Sequence, residues 1–451
     1  MRVVVTGASG NVGAGVLRAL AGQAPDAEVV GVCRRPPASG RKYERVRWHA
    51  VDLASPSAAA RLGPALHGAD VVIHLALAVQ PVRDEDYLYR ANVVGTQVLL
   101  SAMEAAGIRH LVYASSLGIY APGAREPVTE SWPDSGQPTS VYSRHKVMAE
   151  RILDRFEQEH PQTVVARFRP TVVVQREAAW LIHSLYLGPL VPRAALELLR
   201  RGALRILPLP RGLALQFVHA DDVGDAVIRM MQRRSRGSFN IAADVLDTRA
   251  LAAVVGARAI GVDPGLMRAV ITALSACRVI ALTPGWYDVA TNSPVMDTTK
   301  ARRELGWAPS RTSAASALEL LEGMAEGAAG TSAAMGWRSE ERRMTPQTIR
   351  RIHDGSLLLW TTLAVARALG VGPATVPQAA AVAVNLASGT PMALDRVLER
   401  RRDPVAILAP LAVVAALTTT VRGGWASVAA TTCLGVLAAA ERRRARRIGQ
   451  T

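Results

Sequence analysis

In the run Tyr142-Ser143-Arg144-His145-Lys146 a phenol precedes an ammonium by four residues. Residues i and i+4 of a helix share one face, so this spacing brings the two groups together one turn apart. A free tyrosine titrates near ~10, and a cation a few ångströms away lowers that by roughly 1 to 3 units, which suits the phenol to moving a proton near neutrality. The lysine is itself informative. The chain has three, Lys42, Lys146 and Lys300, against fifty arginines, so arginine is the default cation and Lys146 departs from it. A proton-moving phenol also needs a partner to hold the reacting oxygen. Ser115 and Ser116 follow the apolar run 111–114, where a strand end lets a hydroxyl face a substrate oxygen. The same residues also fit a surface helix and a strand end whose serines satisfy local backbone groups, and spacing alone leaves both readings open.

The elements that would position these groups begin at the amino terminus. Residues 2–6 form an apolar, β-branched run that leads into Gly7-Ala8-Ser9-Gly10-Asn11-Val12-Gly13 and then a helical pattern through Val16, Leu17 and Leu20. Strand, glycine turn and helix in that order let the backbone approach a pyrophosphate closely, with the helix N-terminus offering N–H groups to the anion. Apolar runs at 29–33, 46–49, 71–75, 111–114 and 164–167 continue the strand series, with the longest helical patterns at 87–106 and 142–159. A helix at 221–233 and a strand at 238–241 follow. Repeated βα units with strands apolar on both faces predict an α/β fold with a doubly wound parallel Rossmann sheet and a ligand at the carboxyl ends of its strands.

This predicts a dinucleotide-binding domain from 1–175 and 216–244. A smaller, mostly helical substrate domain is expected from 176–215, irregular and proline-rich, together with 245–322. A Gly, Ala and Ser-rich linker then spans 323–340, and a helical C-terminal extension runs from 341 to 451. In that extension residues 404–421 and 424–440 carry no charge, and arginines stand at both outer ends, Arg400 to Arg402 and Arg442 to Arg447. The pattern predicts a membrane hairpin at 404–440 with both ends cytoplasmic. These segments are alanine-rich and weakly hydrophobic, so a soluble helical domain also fits.

A net charge of +16 raises the question of nucleic acid, but the charge is unevenly placed. Residues 337–451 carry sixteen arginines against seven acids, a net +9. Aromatic residues make up 4% of the chain and do not interleave with basic ones, which argues against a nucleic-acid platform. Cys33, Cys277 and Cys433 are far apart and odd in number, consistent with a reducing compartment. The first residues already read as a core strand, so a signal peptide is not expected. The densest cluster of metal-ligating types, His219-Ala220-Asp221-Asp222, is more simply a helix start capped by Asp221 or Asp222, and no metal is expected.

The motifs Thr6-Gly7-Ala8-Ser9-Gly10-Asn11-Val12-Gly13, Ser115-Ser116-Leu117-Gly118-Ile119-Tyr120 and Tyr142-x-x-x-Lys146 together resemble the extended short-chain dehydrogenase/reductase family, also called the NAD-dependent epimerase/dehydratase family. Asp52-Leu53, His74-Leu75-Ala76, Asn92-Val93-Val94-Gly95-Thr96, Arg169-Pro170, Val218 to Val223 and Thr299 to Trp307 add to the match, which covers about residues 1 to 325. The resemblance implies Tyr142 as catalytic acid/base, Lys146 as its tuning charge and a ligand of the nicotinamide ribose, and Ser116 as the catalytic serine. It implies further that Gly7, Gly10 and Gly13, with Asn11 and Val12 between them, flank a pyrophosphate. Asp52 and Leu53 would meet the adenine, Leu75, Ala76 and Asn92 would lie near the cofactor, and Pro170 beside the nicotinamide.

Where an NAD enzyme of this type would carry an acid after the second strand, this chain has Cys33-Arg34-Arg35. Arginine pairs with a 2′-phosphate that an acid would repel, which favours NADP over NAD. The expected activity is an NAD(P)-dependent oxidoreductase that transfers hydride at an alcohol or ketone carbon. A membrane-touching tail suggests a lipid-like, hydroxysteroid-like substrate. A nucleotide sugar is the alternative, with Arg193, Arg200, Arg201 and Arg205 available to its diphosphate, and a non-catalytic dinucleotide-binding sensor is the alternative of another class. The expected partners are a small-molecule substrate, a membrane surface through the tail and a second copy of the chain. The expected location is the cytoplasm, or the cytoplasmic face of a membrane.

Overall fold

The computed structural model describes residues 1–37, 43–79, 84–124, 126–187, 193–203, 205–276 and 280–336. The extension from 341 to 451, with its expected membrane hairpin, lies outside the described residues. Among those described, no helix is long and apolar enough to cross a membrane. The chain divides into two compact units. The first comprises Met1–Leu185, Leu199–Arg268 and Leu282–Ser339 and carries all the elements discussed below; the second comprises Tyr186–Leu198, Ala269–Ala281 and Glu340–Thr451.

Seven strands form the main sheet: β1 (Arg2–Thr6), β2 (Glu28–Cys33), β3 (Val46–Ala50), β4 (Val71–His74), β5 (His110–Ala114), β6 (Val164–Pro170) and, later in the chain, Gly237–Ile241. All pair in parallel, in the order Gly237–Ile241, β6, β5, β4, β1, β2, β3. The order reverses between β1 and β4, so a crevice opens at the carboxyl ends of those strands. The period of two in β1 explains how one short run serves two layers. Val3 and Val5 join Val16 and Leu20 of α1 (Asn11–Gln23) and the helix Ala220–Arg233 on one face, while Val4 joins Leu62, Leu99 and Leu153 on the other. Burying each such branched side chain is worth about 1.5–3 kcal/mol. The second face is covered by α2 (Ala58–Leu66), α4 (Gly95–Ala105) and α5 (Val141–Glu159).

Several expectations change. The helix expected over 87–106 is a short α3 (Glu85–Tyr89), a π-helical turn at Arg90–Val94 and then α4. Within that turn the Asn92 amide is clamped to the backbone N–H and C=O of Ala78, at 2.8 Å each, and Thr96 Oγ1 donates back to the Asn92 carbonyl at 2.8 Å. A side chain that bonds backward in this way perturbs the regular ladder. The region 176–215 is more regular than its prolines suggested, containing Ile206–Pro210 and the start of Ala214–His219 as strands. Ile206–Pro210 pairs with Arg258–Val262 in a two-stranded sheet, where each strand is an edge and its missing proline N–H groups are tolerated. Arg258–Val262 and Val245–Asp247 also interrupt the segment 245–322 expected to be mostly helical. The run 323–336, read as part of a linker, ends the helix Ser313–Glu326 and then packs, with Ser332 and Met335 buried. At the amino end of Ala220–Arg233 the cap is His219, whose ring accepts from the Asp221 N–H at 3.2 Å, and neither Asp221 nor Asp222 serves. Among the described residues no cluster suits a metal ion.

Candidate active site

The glycine turn between β1 and α1 is the first component. Gly7 sits at φ +69°, and a methyl there would lie 2.6 Å from the Ala76 backbone nitrogen. Only glycine allows the turn to lie this close to the segment after β4. Beside it opens a cleft of about 800 Å³, counting space continuous with solvent, and Gly7, Gly10, Arg34, Arg35, Asp52, Leu53, Leu75 and Ala76 all lie on its wall. The first-turn N–H groups of α1, which a helix leaves without internal acceptors, begin at this turn. Close backbone approach, a helix start and a cleft at the strand-order reversal together fit a dinucleotide.

On the cleft wall Arg34 Nη1 donates to the Tyr87 hydroxyl at 2.7 Å, and Tyr87 in turn donates to both Asp52 carboxylate oxygens at 3.2 Å. Tyr87 was not singled out by the sequence, because its partners lie 35 and 53 residues away.

Other expected cofactor residues are placed differently. Asn11 is engaged with Val173 and Gln175, donating to the Val173 carbonyl at 2.8 Å and accepting from Gln175 Nε2 at 2.7 Å. Val12 packs on the core, and Gly13 lies over the Ala8 carbonyl. Asn92 is held by Ala78, and Pro170 is buried at the end of β6, in register with Ile241. None of these five lines the cleft among the described residues, and neither do Tyr142 and Lys146.

The second component stands on α5 and the end of β5. Ser140 caps α5, its side chain accepting from the Ser143 N–H, so Tyr142 and Lys146 fall in the first turns on a common side. The two serines that look equivalent in the sequence are separated by their partners. Ser115 donates to Glu150, whereas Ser116 caps the following short 3₁₀ turn, accepts from the Gly118 N–H at 2.9 Å and lies near the Tyr142 phenol, whose pKa it acts to lower. A methyl on Gly118 would lie 3.2 Å from a ring carbon of Tyr142, so this glycine lets the ring approach the serine. The Tyr142 ring stacks on Trp286 at 4.6 Å between centroids. Trp286 comes from the distant helix Pro284–Asn292 and carries no local sequence signal.

Lys146 is 5% exposed and donates to the Ala114 carbonyl at 2.5 Å, with its ammonium over the Tyr113 ring. Burial pulls it down to about 8, the Glu150 carboxylate one turn on opposing that fall. Tyr142 keeps part of its surface exposed, yet burial of its phenol dominates and pushes it up to about 12, the Ser116 hydrogen bond opposing. The lowering of Tyr142 by Lys146 expected from their spacing is therefore not realised. The ammonium is turned to the strand carbonyl, and desolvation outweighs what charge remains nearby.

Beneath the site Glu150 is 1% exposed. It accepts from Arg169 at 2.8 and 3.1 Å, from Arg167 at 3.1 Å and from Ser115. Burial alone would push its carboxyl up, but the Arg169 hydrogen bonds and the charges of Arg169 and Arg167 outweigh this and hold it below the usual range. Arg169 continues to the Tyr120 hydroxyl at 3.1 Å, and Tyr120 donates to Asn240 at 2.6 Å. One buried network thus joins α5, β5, β6 and the edge strand Gly237–Ile241 behind the serine, tyrosine and lysine.

Residues 3–242 match the model of the NAD dependent epimerase/dehydratase family. The chain belongs to this family. A UDP-glucose 4-epimerase of Yersinia pestis is 31% identical over 185 residues, which are 37% of this chain and 53% of that protein. A UDP-glucose 4-epimerase of Streptomyces lividans is 29% identical over 175 residues, 37% of this chain and 52% of its own length. The chain thus spans about half the length of these curated relatives. The dTDP-glucose 4,6-dehydratase DesIV from Streptomyces venezuelae, solved with NAD and TYD bound, superposes with a TM-score of 0.54 at 21% identity, over 72% of this chain and 97% of its own. At that identity the likeness is one of fold.

Proposed function

We propose that this member of the epimerase/dehydratase family is an NAD(P)-dependent enzyme that transfers hydride at a carbon bearing a hydroxyl or keto group. The observation that carries the reading is that Ser116 and the Tyr142 ring meet across Gly118, with Lys146 bonded to the Ala114 carbonyl, at the carboxyl ends of the strands. The nicotinamide, when bound, supplies the hydride acceptor or donor. The chain's own residues handle the proton. With its pKa near 12 the Tyr142 phenol is protonated at neutral pH, so in the reducing direction it donates a proton to a substrate carbonyl oxygen that Ser116 holds. Lys146, mostly charged at pH 7, offers its remaining N–H bonds to a neighbouring hydroxyl.

A nucleotide sugar is the substrate class that the named relatives support, since they are UDP-glucose 4-epimerases and a dTDP-glucose dehydratase. The lipid-like substrate suggested by the tail has no counterpart among these three. Arg34 and Arg35 on the cleft wall favour NADP by their charge, against an NAD-bound structural neighbour.

The test is turnover of UDP-glucose, UDP-galactose and dTDP-glucose by wild type and Tyr142→Phe with each dinucleotide. Loss of the phenolic proton is expected to lower kcat about 10²- to 10⁴-fold and to leave dinucleotide affinity within about threefold. Undiminished turnover by the Phe variant would remove Tyr142 from the chemistry.

A further inference from the structure

We propose that residues 330–336 form a strap that closes over the glycine turn and retains the nucleotide in the cleft. This inference rests on the dinucleotide reading above and extends it to a segment far outside residues 3–242, which match the family. The strap is anchored at its ends. Gly330 N–H donates to the Met335 carbonyl at 2.9 Å and Met335 N–H to the Ser332 carbonyl at 3.0 Å, which closes the segment into a compact loop. Met335 is 1% exposed, and Gly336, at φ +99°, lies on the Trp180 ring, where a methyl would come within 2.6 Å of ring carbon. Just upstream, the Trp180 N–H donates to the Ala328 carbonyl at 3.1 Å.

Between these anchors the loop meets the glycine turn. Ser332 is fully buried, and its hydroxyl donates at 2.5 Å to the carbonyl of Ser9, between Gly7 and Gly10. Next to it, Ala333 and Ala334 are half-buried and stand on the cleft wall with Gly10, Arg34 and Arg35. The two residues that face the space for a ligand are thus small, while those that face the protein are tied down. Such a wall narrows the cleft beside the turn that would carry a pyrophosphate, and it excludes water from bonds made there. A nucleotide leaving the site past this wall must displace it, so the Ser332 bond bears on release.

The experiment uses the full chain and compares wild type, Ser332→Ala and Ala334→Trp. Equilibrium affinity for NAD and NADP is measured by calorimetry, release rate by stopped-flow displacement, and the unfolding midpoint of the unliganded protein alongside. Loss of the Ser332 hydroxyl is expected to speed release about five- to tenfold, the worth of one net hydrogen bond. Ala334→Trp, at a half-buried position on the cleft wall, is expected to weaken affinity at least tenfold by filling the cleft. A purely structural Ser332 would lower the unfolding midpoint and leave the release rate alone. Release and affinity within twofold of wild type in both variants would overturn the strap. If Ser332→Ala does not fold, unchanged affinity in Ala334→Trp overturns it alone. Failure of wild type to bind either dinucleotide sinks the cofactor reading itself, which the first titration shows separately.

Discussion

Replacing Lys146 by Met removes a buried ammonium and keeps an unbranched stem of similar size. Burial lowers Lys146 from 10.5 to about 8, and at roughly 1.4 kcal/mol per unit the charged form is disfavoured in the fold by about 3 kcal/mol. Against this, the substitution loses the bond to the Ala114 carbonyl, a net loss of about 1 kcal/mol. The unliganded variant is therefore expected to be about 2 kcal/mol more stable than wild type at pH 7 while losing turnover. The sign with pH follows from proton binding. Between about 8 and 10.5 the unfolded chain holds the Lys146 proton and the folded chain has released it, so wild-type stability should rise with pH across that window. Below about 8 the penalty is complete. Guanidinium unfolding of the full chain at several pH values, followed by tryptophan fluorescence, reads both effects. A variant no more stable than wild type at pH 7, or one that keeps the same rise between pH 8 and 10.5, refutes the argument that Lys146 is held at a cost to stability. A residue so held is a candidate for function.

Two further substitutions probe the surroundings. Glu150→Ala strands the Arg169 and Arg167 guanidiniums, of which Arg167 still meets Asp154 at 2.6 Å and Arg169 still meets Tyr120; a loss of about 3–5 kcal/mol is expected in denaturant unfolding, and a loss below ~1 kcal/mol would show that the network is not held by Glu150. Arg34→Ala removes the cation tied to Tyr87 on the cleft wall; NADP affinity by calorimetry should fall about tenfold or more with NAD changed less than threefold, and equal losses for both would end the proposed preference for the 2′-phosphate.

Legibility was highest where a pattern is local. The parallel sheet could be read from branched runs such as Val3-Val4-Val5 and Val71-Val72-Ile73, because strands buried on both faces have a narrow composition. The strands Ile206–Pro210 and Arg258–Val262 could not be read, since neither run shows the pattern and each is a strand only through pairing with the other, about fifty residues away. The break in the helix before α4 escaped for a similar reason: the Asn92 side chain reaches Ala78, outside the helix that its periodicity describes.

By itself the sequence determined the kinds of groups and their local spacing. The glycine turn after β1, Ser115 and Ser116 after β5, and Tyr142 one helical turn from Lys146 follow from short-range geometry that any folded form of these segments must keep. The tertiary structure decided what each group is free to do. It engages Ser115 with Glu150 and leaves Ser116 to Tyr142, turns Lys146 to the Ala114 carbonyl, raises the phenol instead of lowering it, and brings Trp286 and Ser332 to places their own surroundings in sequence do not suggest. The physical reason is that hydrogen-bond partners and desolvation depend on what the fold packs around a group, and those neighbours come mostly from distant parts of the chain.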